Sequence, residues 1–277
     1  MPPPRSPSGR VRRATSHRLG LARDLALDAA DRLRGRDQLV PPRRLLTGDY
    51  SEYERIGEEF RGYLVELAGL RPDGAVLDVG CGPGRMAVPL TRYLGERGRY
   101  EGFDVVGSEV RWCQRHITPR HPGFRFQVVD VHNPRYNPRG ATPAAELRFP
   151  YEDGSFDVVL LASVFTHMLA PEVERYLGEV ARVLRPGGRA LVTYFLLNED
   201  SEGRIAAGTS HFGFRGRAHA PARVEEPGDP EAAVAYPEEW VRERHRRTGI
   251  PVASVHHGYW CGRDEYLTWQ DVVVAER

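Results

Sequence analysis

The chain has 277 residues, 40% of them hydrophobic and 28% charged, with a formal net charge of +1 at pH 7. That supplies apolar side chains for one large folded domain with extensions, and no run of about 18 apolar residues is present to span a bilayer. Three cysteines, Cys81, Cys113 and Cys261, are odd in number and far apart, which argues against a disulfide scaffold and for a reducing compartment; no paired Cys/His spacing points to zinc.

The near-neutral total hides an uneven chain. Residues 1–48 hold 11 arginines against 4 aspartates, whereas 49–277 hold 28 arginines against 34 acids. All 39 basic residues are arginine. That uniformity reads as codon bias of a GC-rich genome and weakens any argument that arginines were chosen to grip phosphate. Residues 1–16 are rich in proline, serine and arginine and are expected to be disordered. They have no apolar signal-peptide core, so a cytoplasmic location is expected. Residues 17–35 predict a helix with Leu19, Ala22, Ala26, Ala29 or Ala30, and Leu33 on one face, ended by Gly35. A basic amphipathic helix can touch acidic lipid, but a face made mostly of alanine favours packing on the body or on a partner subunit. The expected organisation is a basic extension, 1–48, followed by one domain, 49–277.

Tyr53 to Leu70 predicts a helix leading to a short apolar strand, 75–80. That strand runs straight into Gly80-Cys81-Gly82-Pro83-Gly84, with a helix expected over 85–95. Glycines at the end of a buried parallel strand let the backbone approach a ligand closely, because no Cβ intervenes. The third glycine falls one residue earlier than in the dinucleotide pattern G-x-G-x-x-G, and Arg85 stands where that pattern has glycine. A second strand, 99–104, ends in Asp104. A helix over 108–118 and a third strand, 124–130, ending in Asp130, follow. Residues 132–155 hold several prolines and no clear helix. A fourth strand, 156–162, leads to a helix over 171–184, with Arg185-Pro-Gly-Gly188 as its stop. A fifth strand covers 189–197. Residues 198–236 form a polar, Gly/Pro-rich excursion. Pro237-Glu-Glu-Trp240 opens a helix with proline in its first turn. Val252 to Trp260 and Leu267 to Ala275 read as two last strands, antiparallel because the short turn Cys261–Glu265 joins them. His256 and His257 are adjacent, which reads as surface or strand histidines.

Taken in order, Val76–Met86, Asp104, the pair Asp130-Val131, and the segment Phe149–Leu197 resemble the class I S-adenosylmethionine-dependent methyltransferases over about residues 50–277; their specificity lies in occurring together. The resemblance implies a Rossmann-like α/β fold, a seven-stranded sheet with an antiparallel last strand and helices on both faces. It implies S-adenosyl-L-methionine as cofactor. Gly80, Cys81, Gly82 and Gly84 would surround its methionine portion, and Asp78 would orient its amino group. Asp104 would bind the ribose, Val105 would flank the adenine, and Asp130 and Val131 would meet the adenine edge. Trp112 reads either as adenine contact or as core. Ser163 and Thr166 would touch the cofactor after the fourth strand. His167, there too, reads either as a general base, for which its pKa suits, or as site architecture. Tyr50, Tyr53 and Phe60 would lid the cofactor or pack their helix. His211, Phe212, Phe214, Arg215 and His219 make the 198–236 excursion an acceptor lid or a plain surface insert, and Trp260 joins the acceptor wall or the sheet edge.

The implied activity is methyl transfer, most readily to oxygen of a small molecule, sugar or lipid-linked saccharide. Holding donor and acceptor aligned is the protein's main task in such a reaction, worth about 7–11 kcal/mol. Two rivals stay open: a protein that binds the donor without turnover, and a nucleic-acid methyltransferase. The second is disfavoured by the acidic body and by the absence of an Asn/Asp-Pro-Pro-aromatic motif after the fourth strand. The glycine spacing speaks against an NAD-dependent dehydrogenase.

Overall fold

In the computed structural model, residues 23–24, 26–33, 35–46, 50–218 and 220–277 are described; residues 17–22 of the predicted first helix, and His219, lie outside them. Every position of β1 (Ala75–Val79) is buried, as a strand covered by helices on both faces requires. The sheet adds β2 (Arg99–Asp104), β3 (Phe124–Val128), β4 (Phe156–Leu161), β5 (Leu184–Tyr194), β6 (Val252–His256) and β7 (Asp271–Glu276), in the order β3-β2-β1-β4-β5-β7-β6. β1 to β5 pair in parallel, and β7 runs antiparallel to both β5 and β6. The expected seven-stranded fold is the one observed.

Side-chain alternation divides the core. Leu77, Val159 and Val192 face one layer, closed by α4 (Ala170–Val183) and α6 (Glu238–Arg247). Val76, Leu160 and Leu191 face the other, closed by α1 (Tyr50–Glu66), α2 (Ala87–Leu90) and α3 (Gly107–His116). A period of two along each strand puts successive side chains in opposite layers. The order reverses between β1 and β4, and in open α/β sheets the ligand crevice lies at that switch point.

Four expectations need correction. The helix predicted over 85–95 shrinks to Ala87–Leu90 between turns; Pro89 lacks the N–H that would continue the ladder. The fifth strand leaves the main sheet after Tyr194. Leu196–Leu197 then joins Val234–Pro237, Arg223–Val224 and Gly216–Arg217 in a separate four-stranded sheet. The excursion is therefore built rather than loose: it also contains α5 (Glu199–Ala207) and buries Phe214 against Phe195 and Trp260. The last two strands are not joined by a short turn. Residues 257–270 form a long loop, laced by bonds from the Tyr259 and Trp260 amides to the Thr268 and Trp269 carbonyls. The Asp271 carboxylate fastens that loop, accepting from the Gly258 amide (2.8 Å), the Trp260 indole (2.7 Å), the Arg263 guanidinium (3.3 Å) and, across the fold, the Leu196 amide (2.7 Å).

The first helix is the fourth correction. Residues 23–24 and 26–33 are helical, and Gly35 beyond them takes φ +88°. The predicted alanine–leucine face is not the packed one: Leu33 is 90% exposed, whereas Asp28 is 4% exposed. Arg36 donates to Asp28 at 2.6 Å and Arg43 to Asp31 at 2.5 Å. Paired charges, not apolar periodicity, choose the inward face here. Among the described residues no helix is long and apolar enough to cross a membrane.

Candidate functional site

The switch point is shaped by the turn that follows β1. The amides of Gly80 and Cys81 both donate to the Phe103 carbonyl, at 2.9 and 3.1 Å, folding the loop back over β2. Gly80 and Gly82 sit at φ +77° and +51°, where side chains bring strain. A Cβ on Gly80 would lie 2.7 Å from the Val164 side chain. Asp104, at the end of β2, then ties two turns together: it accepts from the Gly82 amide and from the Val106 amide, each at 2.8 Å.

Two cavities open on either side of this loop. The smaller, about 270 Å³, is bordered by Asp104, Val105, Val131 and His167. The larger, about 830 Å³, lies between α1 and the 257–270 loop and reaches Asp78 and Cys81. Gly80, Gly82, Arg85, Ala162 and Ser163 border both.

Carboxyl groups dominate the electrostatics. Asp78 is 1% exposed, accepts from the Tyr100 hydroxyl, and is pushed up to about 7 by burial, with Asp104 adding to the rise. Burial also raises Asp104, while the Val106 and Gly82 amides pull it back. Glu109, bordering the smaller cavity, is pushed up to about 7 by burial and then by the Asp104 charge. Carboxyls held this far above their usual range gain from a ligand that brings hydroxyl donors or a cation.

The ring of His167 is fixed. Its Nδ1 lies 2.9 Å from the backbone carbonyl of Glu231. A carbonyl only accepts, so Nδ1 carries the proton and Nε2 keeps its lone pair. Burial lowers the His167 pKa, which favours the neutral ring. Tyr136 meets it edge-on at 6.2 Å.

The structure brings together most of the sequence-predicted residues. Asp78, Gly80, Cys81, Gly82, Asp104, Val105, Val131, Ser163 and His167 all border one cavity or both. Gly84 does not; a Cβ there would meet Ile117 at 2.9 Å and Cys113 at 3.1 Å, so this glycine serves the packing of α3. Asp130 borders neither cavity and is exposed. β3 stops at Val128, and the Asp130 carbonyl accepts from Thr142 as the chain turns away. Trp112 is core, stacked on His116 at 4.7 Å. Thr166 is buried outside both linings. Tyr53 packs α1 and donates to the Pro83 carbonyl at 3.2 Å, while Phe60 borders the larger cavity. Tyr50 lies under the Arg36 guanidinium at 5.6 Å. The described residues of the 198–236 excursion border neither cavity; the excursion reaches the site through Glu231, whose carboxylate also accepts from Asn133 at 2.7 Å. Trp260 is wholly buried.

Sequence reasoning passed over Glu109, Tyr136 and Tyr176 in the smaller cavity, and Glu59, Tyr259, Tyr266, Trp269 and Gln270 in the larger. The one available signal for the second group was density: Tyr259, Trp260, Tyr266 and Trp269 fall within eleven residues. Gln270 accepts from the Ser163 hydroxyl at 3.0 Å, joining that loop to the turn after β4.

Residues 77–192 match the family described as "Methyltransferase domain". Phthiotriol/phenolphthiotriol dimycocerosates methyltransferase 1 of Mycobacterium ulcerans is 40% identical over 131 residues, 47% of this chain and 39% of that protein. Sterol 24-C-methyltransferase erg6 of Schizosaccharomyces pombe is 28% identical over 143 residues, 52% of this chain and 33% of that protein. The chain thus spans well under half the length of these curated relatives. Among solved structures, the PH0226 protein of Pyrococcus horikoshii shares the fold with a TM-score of 0.54 and 17% identity, over 82% of this chain and 92% of that one.

Proposed function

We propose that the chain, whose residues 77–192 match a methyltransferase domain family, is a class I S-adenosylmethionine-dependent methyltransferase that methylates an oxygen of a small hydroxylated acceptor, sugars and lipid-linked saccharides included. The observation that carries this reading is the pairing of cavities across Gly80, Gly82 and Ser163: a small pocket with three carboxyl groups, Asp104, Glu109 and Glu172, among apolar walls, joined to a larger cleft.

The residues present fit the cofactor. A cradle that a Cβ on Gly80 would fill, a strand-end carboxylate, and a buried carboxyl raised to about 7 match its neutral, hydroxylated and cationic parts. Asp104 would hold the ribose hydroxyls, Val105 and Val131 the faces of the adenine, and Asp78 the ammonium group. When bound, S-adenosylmethionine supplies a methyl group already activated on a sulfonium. The chain's own contribution is then alignment and exclusion of water.

An alcohol acceptor must also lose a proton. Glu52 and Glu59 border the larger cavity; His167 borders only the smaller one, beside Val131 and Tyr136. That placement, and the bond from Nδ1 to the Glu231 carbonyl, support His167 as architecture rather than base. A net acidic body, 28 arginines against 34 acids over 49–277, supports a small acceptor over a nucleic acid.

Calorimetry with S-adenosylmethionine and with NAD, followed by an acceptor screen with labelled methyl donor, tests the reading. We expect binding of the first ligand only, and label in hydroxylated acceptors. Donor binding without transfer to any acceptor would favour a binding protein instead.

A further inference from the structure

We infer that the larger cavity is a saccharide-binding cleft, its aromatic wall stacking on a sugar ring and its opposite wall reading the hydroxyls. The inference rests on the methyl-transfer reading for its meaning, and on the walls themselves for its chemistry.

One wall comes from the 257–270 loop. Tyr259 and Tyr266 lie 4.8 Å apart, and Tyr259 and Trp269 4.7 Å apart, all three bordering the cavity. Tyr259 is 37% and Tyr266 57% exposed, so ring surface is open to a ligand. The other wall is α1, which presents Glu52, Arg55 and Glu59 beside Ile56 and Phe60. Tyr63 of α1 donates to the Leu267 carbonyl at 3.1 Å, so the two walls are held at a set spacing.

This lining discriminates among acceptor classes. An alkyl or sterol body pressed against Glu52, Arg55, Glu59 and Arg85 would strip water from four charged groups and return no hydrogen bonds, which is costly. A cation or an anion finds no net field to favour it, since two carboxylates there are matched by two guanidinium groups; the further acid, Asp78, is the one assigned to the donor. A neutral polyol suits both walls. Its hydroxyls donate to carboxylates and accept from guanidinium groups, bonds stronger than neutral ones. Its C–H face lies on amphipathic tyrosine rings, which combine apolar area with a polar tip. The volume, about 830 Å³, falls in the range of about 300–1,000 Å³ common for ligand sites.

The test uses the full chain with S-adenosylhomocysteine present and saturation-transfer NMR. The probes are methyl glycosides of glucose, mannose and rhamnose, the octyl glycosides of the same sugars, dodecanol and tyramine. We expect transfer to sugar ring protons, with affinity at least tenfold weaker in Tyr266→Ala and in Glu59→Gln. Both variants should keep donor affinity, since neither residue belongs to the donor pocket; Tyr266→Ala should keep the wild-type melting temperature, and Glu59→Gln should change it little, because the pair it breaks with Arg55 at 2.5 Å is a partly exposed i,i+4 pair. Binding of methyl glycosides marks a free saccharide acceptor; ring-proton transfer from octyl glycosides alone marks a lipid-linked one. Absence of any ring signal, transfer to the octyl chain alone, preference for dodecanol or tyramine, or unchanged affinity in both variants overturns the proposal. Wild-type protein that fails to bind S-adenosylmethionine in calorimetry would strike instead at the methyl-transfer reading.

Discussion

The two cavities that share Gly80 and Ser163 are made in different ways. The smaller is assembled at strand ends: Asp104 closes β2, Val131 follows β3, and His167 follows β4. The positions of those residues are consequences of sheet order. The larger cleft joins a helix and a loop whose contacting residues, Tyr63 and Leu267, stand 204 positions apart. Its shape depends on how one irregular segment folds. On the proposed reading a parallel sheet would fix where a donor is held, while recognition of the acceptor would be delegated to segments the sheet does not dictate. Asp78 and Cys81, proposed for the donor, border only the larger cleft, so the two sites meet there; alterations away from that junction should leave the other side's binding intact, and that separation can be broken or sharpened by experiment.

The largest effect is expected from Gly80→Val. Its φ of +77° and a Cβ 2.7 Å from Val164 leave a branched side chain no place without moving the loop. Calorimetry should show donor affinity reduced by at least a hundredfold in a folded variant. Full affinity would mean that the loop does not form the donor pocket. Asp104→Asn keeps volume but removes the charge and one of the two oxygens that accept from the Gly82 and Val106 amides; about 1.5–3 kcal/mol is at stake for each hydrogen bond to a charged group. Donor dissociation constants should rise tenfold or more, with the acceptor KM unchanged. A change in acceptor KM alone would reverse the roles of the cavities.

A smaller, graded effect should appear with pH. Asp78 stands at about 7 in the free protein, and only its ionised form pairs with an ammonium group. Donor affinity should weaken as pH falls through 7, and Asp78→Asn should abolish that slope; an unchanged slope in the variant would remove Asp78 from the donor site. Stability carries the opposite sign. A carboxyl raised on folding contributes stability below its unfolded value, about 3.9, and loses it as pH rises through 7. Asp78→Asn should therefore melt higher than wild type at pH 8, in thermal scans without ligand. The smallest effect belongs to His167→Gln, a few-fold change in turnover with the pH profile retained. A loss near a hundredfold, the scale of a missing general base, would make the histidine catalytic and move the acceptor into the smaller cavity.

What the sequence disclosed follows the same division. Asp104 and Val131 were legible because a glycine turn and two strand ends place them with few alternatives. Asp130 lies outside both cavities because β3 ends at Val128, two residues before the expected end. The aromatic wall was out of reach: Tyr259 and Tyr266 come together on the cavity only when Asp271 and Tyr63 pin a loop that no periodicity describes. The face of the first helix was missed because Asp28 and Arg36 are eight residues apart, a pairing that helical apolar periodicity does not register.

Asp271 has one more consequence. Its carboxylate gathers donors from residue 196, where the chain leaves the main sheet, and from residues 258, 260 and 263. Those donors converge only after β5 and β7 have paired. The 257–270 loop thus belongs to the same cooperative unit as the antiparallel edge, and should resist amide exchange far better than its irregular backbone suggests. Conversely, partial opening of that edge erases the aromatic wall while β1, β2 and β3 remain joined. On gentle heating, recognition of the acceptor would fade while the donor is still held.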